Sequence, residues 1–250
     1  MRKLRFLVSL ALVAIQLPLF ALSTSAVPRC FGQANTFDRR SMRGHIDADR
    51  VRDLVWVGAR RIDGRCRYFV FVRTSTAGTS GVRLPAPDRF SRFSLRHAAR
   101  PIAMVRIDTV VGREIAVKLL EGASVRPFGF FTMRADSLRP MEIFAAAPPL
   151  AANDMFAFGG GLALMFGTDC AYRKAPRTVV ASRAFPSDAG PRYVVERRWF
   201  RVDGARFVRT QDPTERVVIR LSNLRRRFPE FRNGGLLPRC EGKVLSARRA

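Results

Sequence analysis

Four cysteines, two histidines and 20 acidic residues are the groups with which this 250-residue chain could do chemistry. Cys30, Cys66, Cys170 and Cys240 are an even, widely spaced set with no Cys-x-x-Cys pair and no metal-ligand spacing. In an oxidising compartment such a set reads as two disulfides, with 3 connectivities open. A Cys30–Cys240 bridge would tie the two ends of the chain. A nucleophilic cysteine needs a partnered imidazole, and neither His45 nor His97 sits in a recognisable partner pattern. Glu114, Glu121, Glu142, Glu196 and Asp203 could supply the carboxylate pair of an extracellular glycan hydrolase, but no spacing brings two of them together. Ser124 follows Gly122-Ala123 and is no nucleophile elbow; Gly159-Gly160-Gly161 lacks the Lys-Ser/Thr and following helix of a phosphate loop. Glycines between two apolar runs instead mark a bend in a strand. No catalytic residue is expected, and a binding or structural role outranks the hydrolase alternative.

The elements that must position these groups are short and strand-like. Leu54–Val57, Tyr68–Val72, Ile102–Ile107, Ile115–Leu120, Phe128–Met133 and Met141–Phe144 are rich in Val, Ile, Phe and Tyr. Met155–Phe158, Leu162–Phe166, Thr178–Ser182, Tyr193–Val202, Phe207–Thr210 and Val217–Leu221 continue the series. Gly, Pro, Asp and Ser separate the runs, the pattern of many strands joined by turns. Asp63-Gly64 and Asp203-Gly204 predict hairpins, because a type I′ turn needs positive φ at both central residues. Phe90–Ala99 and Leu224–Arg232 read as brief helices, and Gly78–Pro87 and Ala145–Asn153 as surface loops. Nothing in the composition divides the chain into two domains. The fold expected is all-β.

One internal repeat stands out. In His45-Ile46-Asp47-Ala48-Asp49-Arg50-Val51-Arg52-Asp53, an Ile-Asp pair is followed six residues on by an acid that opens a strand. Sixty-one residues later, Arg106-Ile107-Asp108-Thr109-Val110-Val111-Gly112-Arg113-Glu114 does the same. The first copy resembles a worn Asp-x-Asp-x-Asp-Gly-x-x-Asp-Leu loop of FG-GAP/VCBS-type repeats, which precede strands in extracellular β-propellers. The order of the whole chain is similar to that of small secreted proteins of unknown function from high-GC bacteria. The stretches carrying that likeness are 47–57, Gly112-Arg113-Glu114-Ile115-Ala116-Val117 and Phe156-Ala157-Phe158-Gly159-Gly160. Gly167-Thr168-Asp169-Cys170-Ala171 and Thr178-Val179-Val180-Ala181-Ser182 extend it. The resemblance implies a propeller-like arrangement of small antiparallel sheets, with a β-sandwich or open barrel as the alternative.

Intact loops of that family imply calcium held by acidic side chains and a carbonyl, with Gly in the tight turn. Here Asp47, Asp49 and Asp53 fall on ligand positions, but His45 replaces the first Asp and Arg50 the Gly. The second copy keeps only Asp108 and Glu114, with Arg106 and Val110 at the other ligand positions. Lost ligand charge and nearby cations, Arg50 and Arg52 among them, oppose calcium. The expectation is a degenerate calcium-type loop that holds no ion, its acids serving to form the turn, and no other cofactor.

The N-terminus supplies the compartment. Met1-Arg2-Lys3-Leu4-Arg5 is basic, Phe6–Leu22 is apolar apart from Ser9 and Gln16, and Ser23-Thr24-Ser25-Ala26 offers small residues before Val27. That is the anatomy of a secretory signal peptide spanning 1–26, leaving 27–250 as one disulfide-bonded, secreted domain with no membrane span. The net charge is +25, and only Lys3, Lys118, Lys174 and Lys243 of the 45 basic residues are lysine. High-GC codon usage favours Arg over Lys, and the resulting field attracts polyanions. The arginines are spread out, and Arg225-Arg226-Arg227 and Arg248-Arg249 are short and free of interleaved aromatics. Specific nucleic-acid binding is therefore not expected. The partners implied are an anionic cell-wall polymer or an extracellular protein.

Overall fold

The computed structural model describes residues 41–47, 49–84, 99–119, 124–144, 156–171, 178–188, 190–210 and 215–245, without the side chains of 65, 66, 142–144 and 233. The segment 1–26, Cys30, His97, the expected helix over most of Phe90–Ala99 and the expected loop Ala145–Asn153 lie outside the described residues. Among the described residues no helix is long and apolar enough to cross a membrane.

The chain is all-β, with one short helix among the described residues. Strands β1 (Ser41–Gly44), β2 (Asp53–Ile62), β3 (Arg65–Thr74) and β4 (Gly78–Arg83) form a four-stranded antiparallel meander. The meander is then repeated: β5 (Arg100–Val105), β6 (Glu114–Lys118), β7 (Val125–Arg134) and β8 (Ser137–Pro140) pair in the same order. After β9 (Glu142–Phe144) come β10 (Phe156–Gly161), β11 (Leu164–Cys170), β12 (Val179–Pro186), β13 (Arg192–Asp203), β14 (Arg206–Arg209) and β15 (Glu215–Arg220). Helix α1 (Leu221–Arg227), a 3₁₀ turn (Pro229–Gly235) and β16 (Gly242–Val244) complete the order. Strands β5 to β16 make a twelve-stranded sheet, ordered β16-β5-β6-β7-β10-β11-β12-β13-β14-β9, with β8 added to β7 and β15 to β13. Only β9–β14 is a parallel ladder among these pairs. Neither sheet closes into a barrel.

Period-two alternation decides where the core sits. In β5–β7, Met104, Ile115, Val117 and Phe131 pack against Met42, Val55, Val57, Val70 and Val72 of the first sheet. The intervening Ala103, Val105, Ala116, Phe128 and Phe130 point the other way, into a second core with Phe156, Phe158, Phe200 and Phe207. The second meander is thus buried on both faces. Ring centroids in the second core lie as close as 5.0 Å between Phe156 and Phe207 and 5.3 Å between Phe128 and Phe130. Full burial of each such ring is worth roughly 1.5–3 kcal/mol. A third cluster seats Leu224 and Phe228 on Tyr193, Val195 and Ile219.

Four local expectations change. Gly78–Arg83, expected as a loop, is strand β4, and a Cβ at Gly81 would lie 2.5 Å from the Phe71 ring, so the glycine there makes room for an aromatic packed across the ladder. The helix expected at Leu224–Arg232 begins three residues earlier and stops at Arg227, because Pro229 cannot continue the helix. Strand β11 starts at Leu164 rather than Leu162, which is exposed in the β10–β11 turn. The hairpin at Asp63-Gly64 has both residues at positive φ, 50° and 70°. At the second predicted hairpin the turn residues are Gly204 and Ala205, with Asp203 paired to Arg206.

Candidate functional site

Both acidic loops join the first two strands of a meander, and backbone hydrogen bonding folds them alike. In the first, Asp53 opens β2 and its Oδ2 accepts the Ile46 N–H at 2.6 Å. In the second, Glu114 opens β6 and its Oε2 accepts the Ile107 N–H at 2.7 Å. The Asp two places after His45 or Arg106 then takes an N–H two residues ahead: Asp49 N to Asp47 Oδ1, 3.2 Å, and Val110 N to Asp108 Oδ1, 3.0 Å. The repeat seen in sequence is a repeat in space. The loops also touch: Arg113 N donates to Ile46 O at 3.2 Å, and Gly112, at φ +122°, would put a Cβ 2.1 Å from that same oxygen.

What differs is how each loop meets its negative charge. In the first, one oxygen from each of Asp47, Asp49 and Asp53 lies within 4.8 Å of the others. Ser75, in the β3–β4 turn, donates to Asp49 Oδ2, and Thr76 donates to Asp47 Oδ2 at 2.9 Å. Val51 N donates to Asp49 Oδ1 at 2.8 Å, so all four oxygens of Asp47 and Asp49 accept internal donors. The Ser75 hydroxyl is the main reason the Asp49 carboxyl titrates below its ordinary range. Burial pushes Asp53 up, against the two N–H groups it accepts, and its Oδ1 is buried with no hydrogen-bond partner. No ion pair joins Arg50 or Arg52 to the three carboxylates among the described residues; hydroxyls, rather than guanidinium groups, answer the charge.

The three carboxylates lie close enough together to hold a cation, and most of their oxygens already accept internal donors. Beside them, His45 Nδ1 is 3.1 Å from Val51 O, the carbonyl two residues beyond Asp49. That contact, with the Ser75 and Thr76 hydroxyls, engages the oxygens an ion would need. Among the described side chains of the loop, Asp53 Oδ1 is buried and left open.

In the second loop the cation is supplied by the protein. Arg134, at the end of β7, forms an ion pair with Asp108 Oδ2, and its Nη1 also donates to Thr132 Oγ1 and Met133 O at 2.5 and 2.8 Å. Its Nη2 reaches Gly204 O at 3.3 Å, tying the second meander to the β13–β14 hairpin. Glu114 is 1% exposed, and burial together with the Asp108 charge pushes its carboxyl up to about 8. At neutral pH it carries its proton beside the Asp108 carboxylate. A cleft of about 550 Å³ runs between the loops, lined by Asp47, Asp49, Thr76, Val110, Val111 and Arg134.

Cys170 is bonded to Cys240. That overturns the Cys30–Cys240 possibility, because β11 delivers Cys170, not the N-terminus, to the segment after the 3₁₀ turn. Buried Asp169 fixes this segment, accepting from Cys170 N at 2.8 Å, Arg239 N at 2.7 Å and Arg239 Nε at 3.0 Å. Cys30 and the side chain of Cys66 lie outside the described part of the chain. Of the carboxylates considered for glycan hydrolysis, Glu114 faces Asp108, Glu196 is paired with Arg183 and Asp203 ends β13. Glu121 and the Glu142 side chain are outside the described residues. The Gly159-Gly160-Gly161 segment is the end of β10, bent so that Gly160 N donates to Ser124 O at 2.7 Å.

Several residues at these sites carry no local signal. Ser75, Thr76 and Arg134 each reach an acid 26 or more positions away. Glu230, fully buried, accepts from Ser182 Oγ and Arg197 Nε at 2.8 and 2.6 Å, a polar centre assembled from three elements. No family model, curated protein or solved structure matches the chain.

Proposed function

We propose that this chain is an exported, non-catalytic β-domain that binds at an anionic cell envelope, built from propeller-type repeats of the FG-GAP/VCBS kind whose loops have exchanged calcium for internal donors. The observation that carries the repeat reading is the four-stranded meander occurring twice with the acidic loop at the same place and the same Ile N–H bond. The second meander is buried on both faces, against the first sheet and against later strands of its own sheet, a layered packing that the propeller-like reading shares with the open-barrel alternative.

The binding reading draws on the charge. Arg43, Arg60, Arg61, Arg73, Arg83, Arg139, Arg201 and Arg216 stand exposed on strands of both sheets, so the positive field belongs to a rigid surface. Such a surface attracts an anionic polymer and loses it steeply with salt. The test is retention of the secreted protein on isolated wall polymer across a salt series. Binding that falls with ionic strength, with an N-terminus at or near Val27, is expected. Retention insensitive to salt, or turnover of a glycan panel, overturns the proposal.

A further inference from the structure

We infer that the face of β12–β15 carrying Arg183, Arg198, Arg209 and Arg216 is a binding site for a phosphate-class oxyanion, centred on Arg198. The inference rests on the polyanion reading above and gives it a place and a chemistry. Strand register builds the cluster. Across β12, Arg183 lies opposite Glu196, one diagonal step from Arg198. On the other edge of β13, Arg209 lies opposite Phe200 and Arg216 opposite Glu196, again each one diagonal step from Arg198. Alternation along the strands puts all five charged side chains on one face, within reach of long side chains.

Among the described residues, the carboxylate on this face is that of Glu196. Glu196 is committed to Arg183, whose Nε and Nη2 both lie 2.6 Å from Oε2, and Arg216 Nε stands 4.0 Å from Oε1. Arg198 Nε is buried without a hydrogen-bond partner, and Arg198 forms no ion pair among the described residues. Its neighbour in sequence shows the contrast. Arg197, on the opposite face, is fully engaged by Glu215 at 2.7 Å and Glu230 at 2.6 Å, and lies over the Trp199 ring at 4.9 Å. A partly buried guanidinium ringed by three more is unfavourable unless an anion joins it. Burial, with the Arg209 and Arg183 charges, also lowers the Arg198 pKa. A tetrahedral phosphate offers more acceptor oxygens to several guanidinium forks at once than a single carboxylate does. The phosphate group could belong to a polymer phosphodiester or to a free phosphate compound.

The test is calorimetric titration of the oxidised, full-length mature protein with inorganic pyrophosphate, in parallel with a poly(glycerol phosphate) chain. Saturable pyrophosphate binding is expected, weakened roughly tenfold or more by Arg198→Met. Arg201→Met, which removes the same charge from the opposite face of β13, should bind as wild type. Should Arg198→Met fail to fold by circular dichroism, the exposed Arg216→Ala should weaken binding several-fold instead. Loss of equal size in the Arg198 and Arg201 variants, or no saturable binding by wild type, overturns the site. If wild type is retained on wall polymer yet ignores pyrophosphate, the site falls and the envelope reading stands. If pyrophosphate binds through Arg198 while the polymer is not retained, the site stands for free phosphate compounds and the envelope reading falls.

Discussion

Replacing Glu114 with Gln should make the protein more stable at alkaline pH while leaving it nearly unchanged in mild acid. The carboxyl is 1% exposed, accepts the Ile107 N–H and faces Asp108, and its pKa is raised from 4.5 to about 8. Below pH 4.5 folded and unfolded chains both hold the proton. Between 4.5 and 8 only the folded chain does, so unfolding releases a proton and stability falls as pH rises; above 8 the loss is complete. At 1.36 kcal/mol per unit the loss reaches about 3 kcal/mol by pH 7 and about 5 kcal/mol by pH 9. A Gln side chain reproduces the protonated acid, its carbonyl accepting from Ile107 and its amide donating to Asp108, and it does not titrate. Thermal unfolding of both proteins from pH 5 to 9 isolates Glu114, because Asp53 and Asp169, also raised by burial, titrate equally in each. The curves should coincide near pH 5 and separate by roughly 10 °C at pH 8.5, in favour of the variant. Asp108→Asn removes the like charge that helps raise the Glu114 pKa, so the loss should become smaller and be complete at a lower pH. Parallel curves across the whole range would mean Glu114 is ionised throughout, and the account of the second loop would be wrong.

Chelation should leave the melting temperature unchanged, because Ser75, Thr76 and His45 already engage the first loop; a calcium-dependent rise of several degrees, abolished by Asp49→Ala, would show that an ion still binds there. Peptide mapping without reductant should recover Cys170 linked to Cys240 and, as the pair that remains, Cys30 linked to Cys66. Cys170→Ser/Cys240→Ser should cost about 4 kcal/mol in urea unfolding, from the 70-residue separation the bridge spans. Gly112→Ala combines positive φ with a Cβ 2.1 Å from Ile46 O, and should lower stability by about 2 kcal/mol or more in the same assay.

Class and local strand positions were legible because short Val/Ile/Phe runs between turn residues have few alternatives. Asp63-Gly64 announced its turn through a residue pair that readily tolerates positive φ twice. The β7–β8 turn did not, since Ala135 and Asp136 adopt φ of 45° and 60° with no glycine to signal it. The repeat was also visible, for Ile-Asp and the strand-opening acid make local bonds that depend only on spacing.

Charge compensation was another matter. Arg50 and Arg52 stand beside the first loop in sequence, and the hydroxyls that answer its acids come from the next turn of the meander. Arg134 reaches the second loop from the far end of β7, and the Arg183–Arg198–Arg209–Arg216 face exists only once three ladders are in register. By itself the sequence determined the all-β class, the repeat and the acids that open β2 and β6, because these rest on contacts within a few residues. Tertiary structure alone decided which donor meets each acid, which cysteine Cys240 joins and which arginines share a face. Those choices depend on strand pairing across many residues, where a shift of one position would send every side chain to the opposite side of the sheet.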